Sequence, residues 1–336
     1  MRIPVSPRMV SLATVVVITL VVGLGAGAPA RAQSGKLVLY TSQPDRDATQ
    51  TVEAFRKKYP HVEVEVFRSG TTEVMNKLAA ELAAGAPRPD VLLIADAGSM
   101  QRLKMDGRLL AHAGAEVAQL PPGTFDRDRT YFGTKLITTG IMYHTAAPRK
   151  PTSWKDLTLP EAKGQVVMPS PLYSGAAAIH LSALVALPAL GMKYYEDLAR
   201  NGATAVRGNG AVNAAVAGGQ KMYGIIVDFM ALNAKAKGSP VEFVFPTEGV
   251  TAVTEPIAIL KTARSLEAAR AFVDFLLSRD GQGLAVRQGY LPARRDVAPP
   301  PGFPGVEAVR IIPVDIDTYL AGDETNKRRF SELFGG

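Results

Sequence analysis

Two short segments place hydroxyl side chains and a glycine just ahead of helix-forming runs: Ser69-Gly70-Thr71-Thr72 and Ser174-Gly175-Ala176-Ala177. The first N–H groups of a helix have no intrahelical partner and lie at the positive end of its dipole, so both segments suit an anion. Taken singly, each is also an ordinary N-cap sequence. Glycine in the second position would let a ligand approach the backbone closely. Three acids, Asp96, Asp228 and Glu248, fall in segments that read as loops at strand ends, where carboxylates can hold hydroxyl or amino groups. Asp228, which ends the apolar run 224–227, reads in two ways: as a residue facing a cleft, or as the cap of the helix behind it. Ser42, Asn209 and Asn213 add a hydroxyl and two amides, although Asn209-Gly210 is also a common turn pair. Arg68 and Arg207 read first as solvated charges, with a share in holding the anion as the second reading. Tyr143, Tyr173 and Tyr223 read as core or edge residues that can also stack or hydrogen-bond. Together these residues describe a site for a solute with an anionic group and a hydroxylated or cationic remainder.

Turnover has less support. His61, His112, His144 and His180 are scattered, with no His-Glu-x-x-His spacing, and Ser174 lacks the Gly-x-Ser-x-Gly elbow. No Gly-x-x-x-x-Gly-Lys phosphate loop is present. The expectation is a binding protein without catalytic residues, metal or cofactor, and a secreted hydrolase on the same scaffold is a rival.

Composition narrows the class further. Arg2 and Arg8 precede an apolar run over 9–24, and Ala30-Arg31-Ala32 has the small-x-small pattern of a signal-peptide cleavage site, so residues 1–32 read as a leader and the chain as exported to the periplasm. Without cysteine, neither a disulfide framework nor a thiolate metal site is available there, and stability must come from apolar burial. The net charge of +7 drops to +4 once Arg2, Arg8 and Arg31 are removed. With acids and bases interspersed, nothing points to nucleic acid.

Strand and helix periodicities show how the site residues are carried. Residues 36–40, 62–67 and 91–94 read as strands, each followed by a polar turn and a helical segment. A second group reads alike: strands at 165–168, 203–206 and 224–227 run into loops ending at Ser174, Asn209 and Asp228. If the strands of each group are parallel neighbours, their loops gather at one edge. Residues 224–245 read as one strand–helix–strand unit, with Gly238 ending the helix in the left-handed conformation. Two such α/β groups imply two lobes facing each other across a cleft, with 133–143 and 250–260 as extended crossing segments. Residues 33–135 and 250–298 form the expected first lobe, 136–249 the second, and 299–336 a small helical tail.

The order of several segments resembles the periplasmic solute-binding proteins of ABC importers, in the branch described as ferric-iron-type. The resemblance rests on Leu37-Val38-Leu39-Tyr40, Pro89-Asp90-Val91, Pro151 to Leu157, Gly164-Gln165-Val166-Val167, Phe272 to Ser278 with Gly281-Gln282, and Gly289-Tyr290-Leu291-Pro292. It implies a type II-like fold of two lobes, each a mainly parallel sheet flanked by helices. The lobes are joined by hinge segments and close over a small-molecule ligand that is delivered, by a monomer, to an inner-membrane permease. Iron-binding members place a histidine after the first strand, a glutamate after the third, and a tyrosine pair after the strand that here ends at Val227. This chain has Pro44, Ala95 and Asp228-Phe229 there, and its Tyr194-Tyr195 pair lies within an apparent helix. Other relatives take phosphorylated sugars, phosphonates or similar organic anions. That class is the expected ligand, with ferric iron or a ferric chelate as the alternative.

Overall fold

The computed structural model describes residues 35–301, 303 and 309–335, together with Met1. The leader expected at 1–32 lies outside the described residues. The described chain begins with β1 (Gly35–Thr41), α1 (Asp45–Lys58), β2 (Val62–Arg68), α2 (Thr71–Ala83), β3 (Val91–Leu93), α3 (Ala97–Met105), β4 (Leu109–Leu110), β5 (Tyr131–Gly133) and β6 (Lys135–His144). After two 3-10 turns come β7 (Val166–Pro169), α4 (Gly175–Ala186), α5 (Gly191–Arg200), β8 (Thr204–Val206), α6 (Asn209–Ala217), β9 (Tyr223–Val227), α7 (Asp228–Ala236) and β10 (Val241–Val244). The remainder is β11 (Thr251–Val253), β12 (Pro256–Leu260), α8 (Leu266–Leu277), α9 (Arg279–Arg287), β13 (Leu291–Pro292) and α10 (Ile316–Phe334).

These strands build two sheets. The first has the order β2-β1-β3-β12-β4, with β5 also on β12; the second has the order β10-β6-β9-β7-β8, with β11 and β13 also on β6. In each, three strands are mutually parallel (β2, β1, β3 and β8, β7, β9), so their following loops emerge at one edge. The antiparallel members next to these triplets, β12 and β6, are the strands that carry the chain between sheets. Alternation along β1 sends Leu37 and Leu39 into a core with Phe55 and Phe272, and Tyr40 to the opposite face with Val74, Leu78 and Leu92.

The strand–helix–strand unit at 224–245 forms, and Gly238 takes φ +86° beyond α7. Its strands do not pair, however: β6 lies between β9 and β10, antiparallel to both. At ten residues, β6 is long enough to cross from one sheet and fill the slot between β10 and β9 in the other. The C-terminal helix is also more than an appendage. Tyr319, Asp323 and Phe330 lie on its buried face, and Phe330 packs edge-on to Tyr195 in the second sheet's core.

Asp228 takes neither role expected of it. Val227 occupies the N-cap position, and Asp228 starts α7 with its carboxylate turned into the protein, 1% exposed. Oδ2 accepts from the N–H (2.9 Å) and hydroxyl (2.6 Å) of Thr138 on β6, and Oδ1 from the N–H of Phe229 (2.6 Å). It ties the crossing strand to α7. Burial pushes its pKa from 3.8 up to about 7, against the pull of these three donors. Folding therefore takes up a proton between the two values, so this group's stability contribution is whole below roughly pH 4 and is lost as pH rises through 7. In urea unfolding from pH 4 to 8, the wild type should lose stability more steeply than Asp228→Asn, by up to about 1.4 kcal/mol per pH unit. Parallel curves would contradict the placement.

Candidate functional site

The loops that follow both parallel triplets open onto one cavity of about 430 Å³. The first sheet contributes Ser42 and Pro44 from the β1–α1 turn, Arg68, Gly70 and Thr71 from β2–α2, and Ala95 from β3–α3. From the second come Tyr173, Ser174 and Ala176 around the start of α4, Arg207 to Ala211 around the start of α6, and Phe229 on α7. The crossing segments supply Ile137 and Glu255, and Tyr290 precedes β13.

Several helix N-termini meet at this gap. No side chain caps α1, α2 or α6, whose N-cap positions hold Pro44, Gly70 and Gly208. Several of their first-turn N–H groups are left for water or a ligand, although Thr72 N reaches the Tyr173 carbonyl (3.5 Å) and Ala211 N the Gly208 carbonyl (3.1 Å). Ser174 does cap α4: its Oγ accepts from Ala177 N (3.3 Å) and from Asn209 Nδ2 (3.4 Å), which leaves the hydroxyl proton to donate. Asn209 in turn accepts from Val227 N at 3.1 Å, fixing the amide against the end of β9. Arg68 and Arg207 add positive charge at the rim. Arg207 pairs with Glu73 across the gap, and the Ser69 hydroxyl together with Arg207 holds the Glu73 carboxyl below the usual range. The interior takes aromatic surface from Phe229 and Tyr290, whose ring centroids are 4.1 Å apart.

Of the expected site residues, Ser42, Gly70, Thr71, Ser174, Ala176 and Asn209 line this cavity. Others do not. Asp96 caps α3, accepting from the N–H groups of Gly98 and Ser99; with Thr72 it lines a second cavity of about 280 Å³ between α2, α3 and α10. Burial pushes the Asp96 pKa up. Glu248 accepts from the Ser153 hydroxyl and the Trp154 N–H, bracing a 3-10 turn. The Ser69 hydroxyl is turned to Glu73. Asn213 lies one turn along α6, its Oδ1 buried and without a partner among the described residues. All three expected acids are thus corrected: Asp96, Asp228 and Glu248 are each taken up by N–H and hydroxyl donors of the protein, and the cavity's carboxylate is Glu255. A sequence signal for it existed, as the acid interrupting an otherwise apolar crossing segment.

The serine–glycine glycines also differ from expectation. A Cβ on Gly70 would stand 2.9 Å from the carbonyl oxygen of Tyr173. One on Gly175 would stand 2.7 Å from the carbonyl oxygen of Ala95 and 2.9 Å from Asp96 Cβ and Thr71 Cγ2. It is the opposite lobe, rather than a solute, that needs the space, and Thr72 N reaches Tyr173 O across the gap at 3.5 Å. Gly175→Ala should therefore leave each lobe folded but prop the two apart. Solute affinity should fall about tenfold or more, and the radius of gyration should stay unchanged when solute is added. Normal contraction on binding would contradict this.

A sequence profile of the bacterial extracellular solute-binding proteins matches residues 37–291. A protein of Haemophilus influenzae described as uncharacterized is 27% identical over 283 residues, 80% of each chain. Among solved structures, the periplasmic binding protein AfuA of Actinobacillus pleuropneumoniae, with fructose-6-phosphate bound, superposes with a TM-score of 0.82 at 22% identity, covering 89% of this chain and 98% of that one. Iron-bound HitA of Pseudomonas aeruginosa gives 0.76 at 19%, covering 88% and 99%. At such identities these structures speak for the fold, which is that of the two-lobed periplasmic binding proteins. With the profile covering most of the chain, the protein belongs to the bacterial extracellular solute-binding family.

Proposed function

We propose that this protein captures a small organic anion of the phosphorylated-sugar class outside the cytoplasm and, closed around it, hands it to an ABC-type permease. The observation that carries the reading is the convergence of the uncapped N-termini of α1, α2 and α6, the Ser174 hydroxyl and two arginines on one cavity. Such a surface stabilises negative charge through oriented N–H groups and guanidinium donors. Glu255, Asn209 and the Phe229–Tyr290 pair supply acceptors and a nonpolar wall for a hydroxylated carbon skeleton. The structure of AfuA, solved with fructose-6-phosphate, is a relative on the same fold with such a ligand.

Ferric iron fits the donor set less well. Hard-oxygen coordination needs several anionic oxygens on one point. The described residues form no group of three or more His, Asp and Glu side chains that could hold a metal. Tyr194 and Tyr195 are buried in α5, and Tyr195 packs against Phe330.

Thermal unfolding with a panel of sugar phosphates, inorganic phosphate, unphosphorylated sugars and ferric citrate tests the proposal. At one hundred times its dissociation constant, a phosphorylated sugar should add about 2.7 kcal/mol, read as a concentration-dependent rise of several degrees. The unphosphorylated sugar should add none. Stabilisation by ferric citrate alone, with none by any phosphorylated solute, would overturn the reading.

A further inference from the structure

Glu255 sits at the junction of β11 and β12, 2% exposed, in the left-handed backbone region at φ +40°. A residue with a side chain adopts that conformation only when its surroundings hold it there, and such positions gather at ligand sites. The hold is visible: the Thr134 hydroxyl donates to the Glu255 carbonyl at 2.8 Å, and Oε2 meets Lys135 Nζ at 2.6 Å and Gln43 Nε2 at 3.4 Å. Lys135 is itself 4% exposed and stands 4.1 Å from the centroid of the Tyr290 ring, while the Tyr290 hydroxyl donates to Asp47 at 2.7 Å. Both ends of the Lys135–Glu255 pair come from crossing segments between the sheets. Among the described residues, none donates to Oε1, and Glu255 lines the cavity. The rim of the same cavity carries Arg68 and Arg207, both partly exposed. The site is therefore polarised, with cations at the mouth and a carboxylate, balanced by one lysine, at the floor.

We propose that Glu255 is a specificity-determining residue: it accepts a hydroxyl of the solute at the floor and rejects a second anionic group there. The inference rests on the sugar-phosphate reading and narrows it to solutes with one phosphorylated end and one neutral, hydroxylated end. A second phosphoryl group would bring its charge onto the carboxylate's Oε1, which has no donor among the described residues, and like charges repel there.

Titration calorimetry of the full-length protein with fructose 6-phosphate and fructose 1,6-bisphosphate tests this. The wild type should favour the monophosphate by about a hundredfold. Glu255→Gln, which keeps the shape and frees Lys135, should shrink that preference at least about tenfold, by weaker monophosphate and tighter bisphosphate binding. Should the unpaired Lys135 prevent that variant from folding, the doubly neutral Glu255→Gln/Lys135→Met protein should still show the reduced preference. Equal wild-type binding of both sugars, or an unchanged preference in the folded variants, overturns this proposal alone. If the wild type binds neither of these nor any other phosphorylated sugar of the thermal-unfolding panel, the functional reading falls and this proposal with it.

Discussion

Backbone must meet backbone where the two lobes touch, because side chains would hold the helix N-termini too far apart to share one small solute. Gly70 and Gly175 are two such points of contact. A Cβ on Gly70 or Gly175 would run into main-chain oxygen of the opposite lobe, and one on Gly98 would fall 2.0 Å from Tyr319 of α10. Protein surfaces do not compress to absorb such overlaps. The absence of methyl-sized groups at Gly70 and Gly175 thus sets how far the cleft can close and where the N–H groups point when it has closed.

The same contact carries an electrostatic cost. Bringing the positive ends of α1, α2, α4 and α6 together with Arg68 and Arg207 concentrates like charge around one cavity. Arg207 is partly compensated by Glu73 and Arg68 by Asp45, but those acids stand at the rim. An anion inside the cavity removes the remaining repulsion. Closure and capture are then one equilibrium, in which the solute shifts the population by its preference for the closed arrangement. The crossing segments offer the pivot: Asp228 pins β6 through Thr138, and the Lys135–Glu255 pair joins two of the crossings at the cavity wall.

Much of this architecture was legible in the residue pattern. Short apolar runs such as Val91-Leu92-Leu93-Ile94, the alternating run Val62-Glu63-Val64-Glu65-Val66, and the polar turns after them marked all six strand-to-helix loops, because a parallel strand must end before its helix begins. The roles of individual acids were not legible. Asp228 and Glu255 both interrupt apolar runs, and whether such a carboxylate faces solute or core depends on whether a donor such as Thr138 waits across the sheet, ninety residues away in sequence. The glycines of the Ser-Gly pairs were misread for a related reason, since their neighbours belong to the other lobe. The tail was underestimated because Tyr319 and Phe330 announce their burial only once α4 and α5 are in place.

Interlobe distance in solution is the most direct measure of whether solute and closure are coupled. The chain has no native cysteine, so spin labels can be placed uniquely on the exposed positions of Glu53→Cys in α1 and Lys193→Cys in α5. Pulsed dipolar spectroscopy should give a broad, longer distance distribution without solute and a narrow, shorter one at saturating fructose 6-phosphate. A distribution that stays the same while calorimetry shows the site filled would contradict a cleft that closes on its anion.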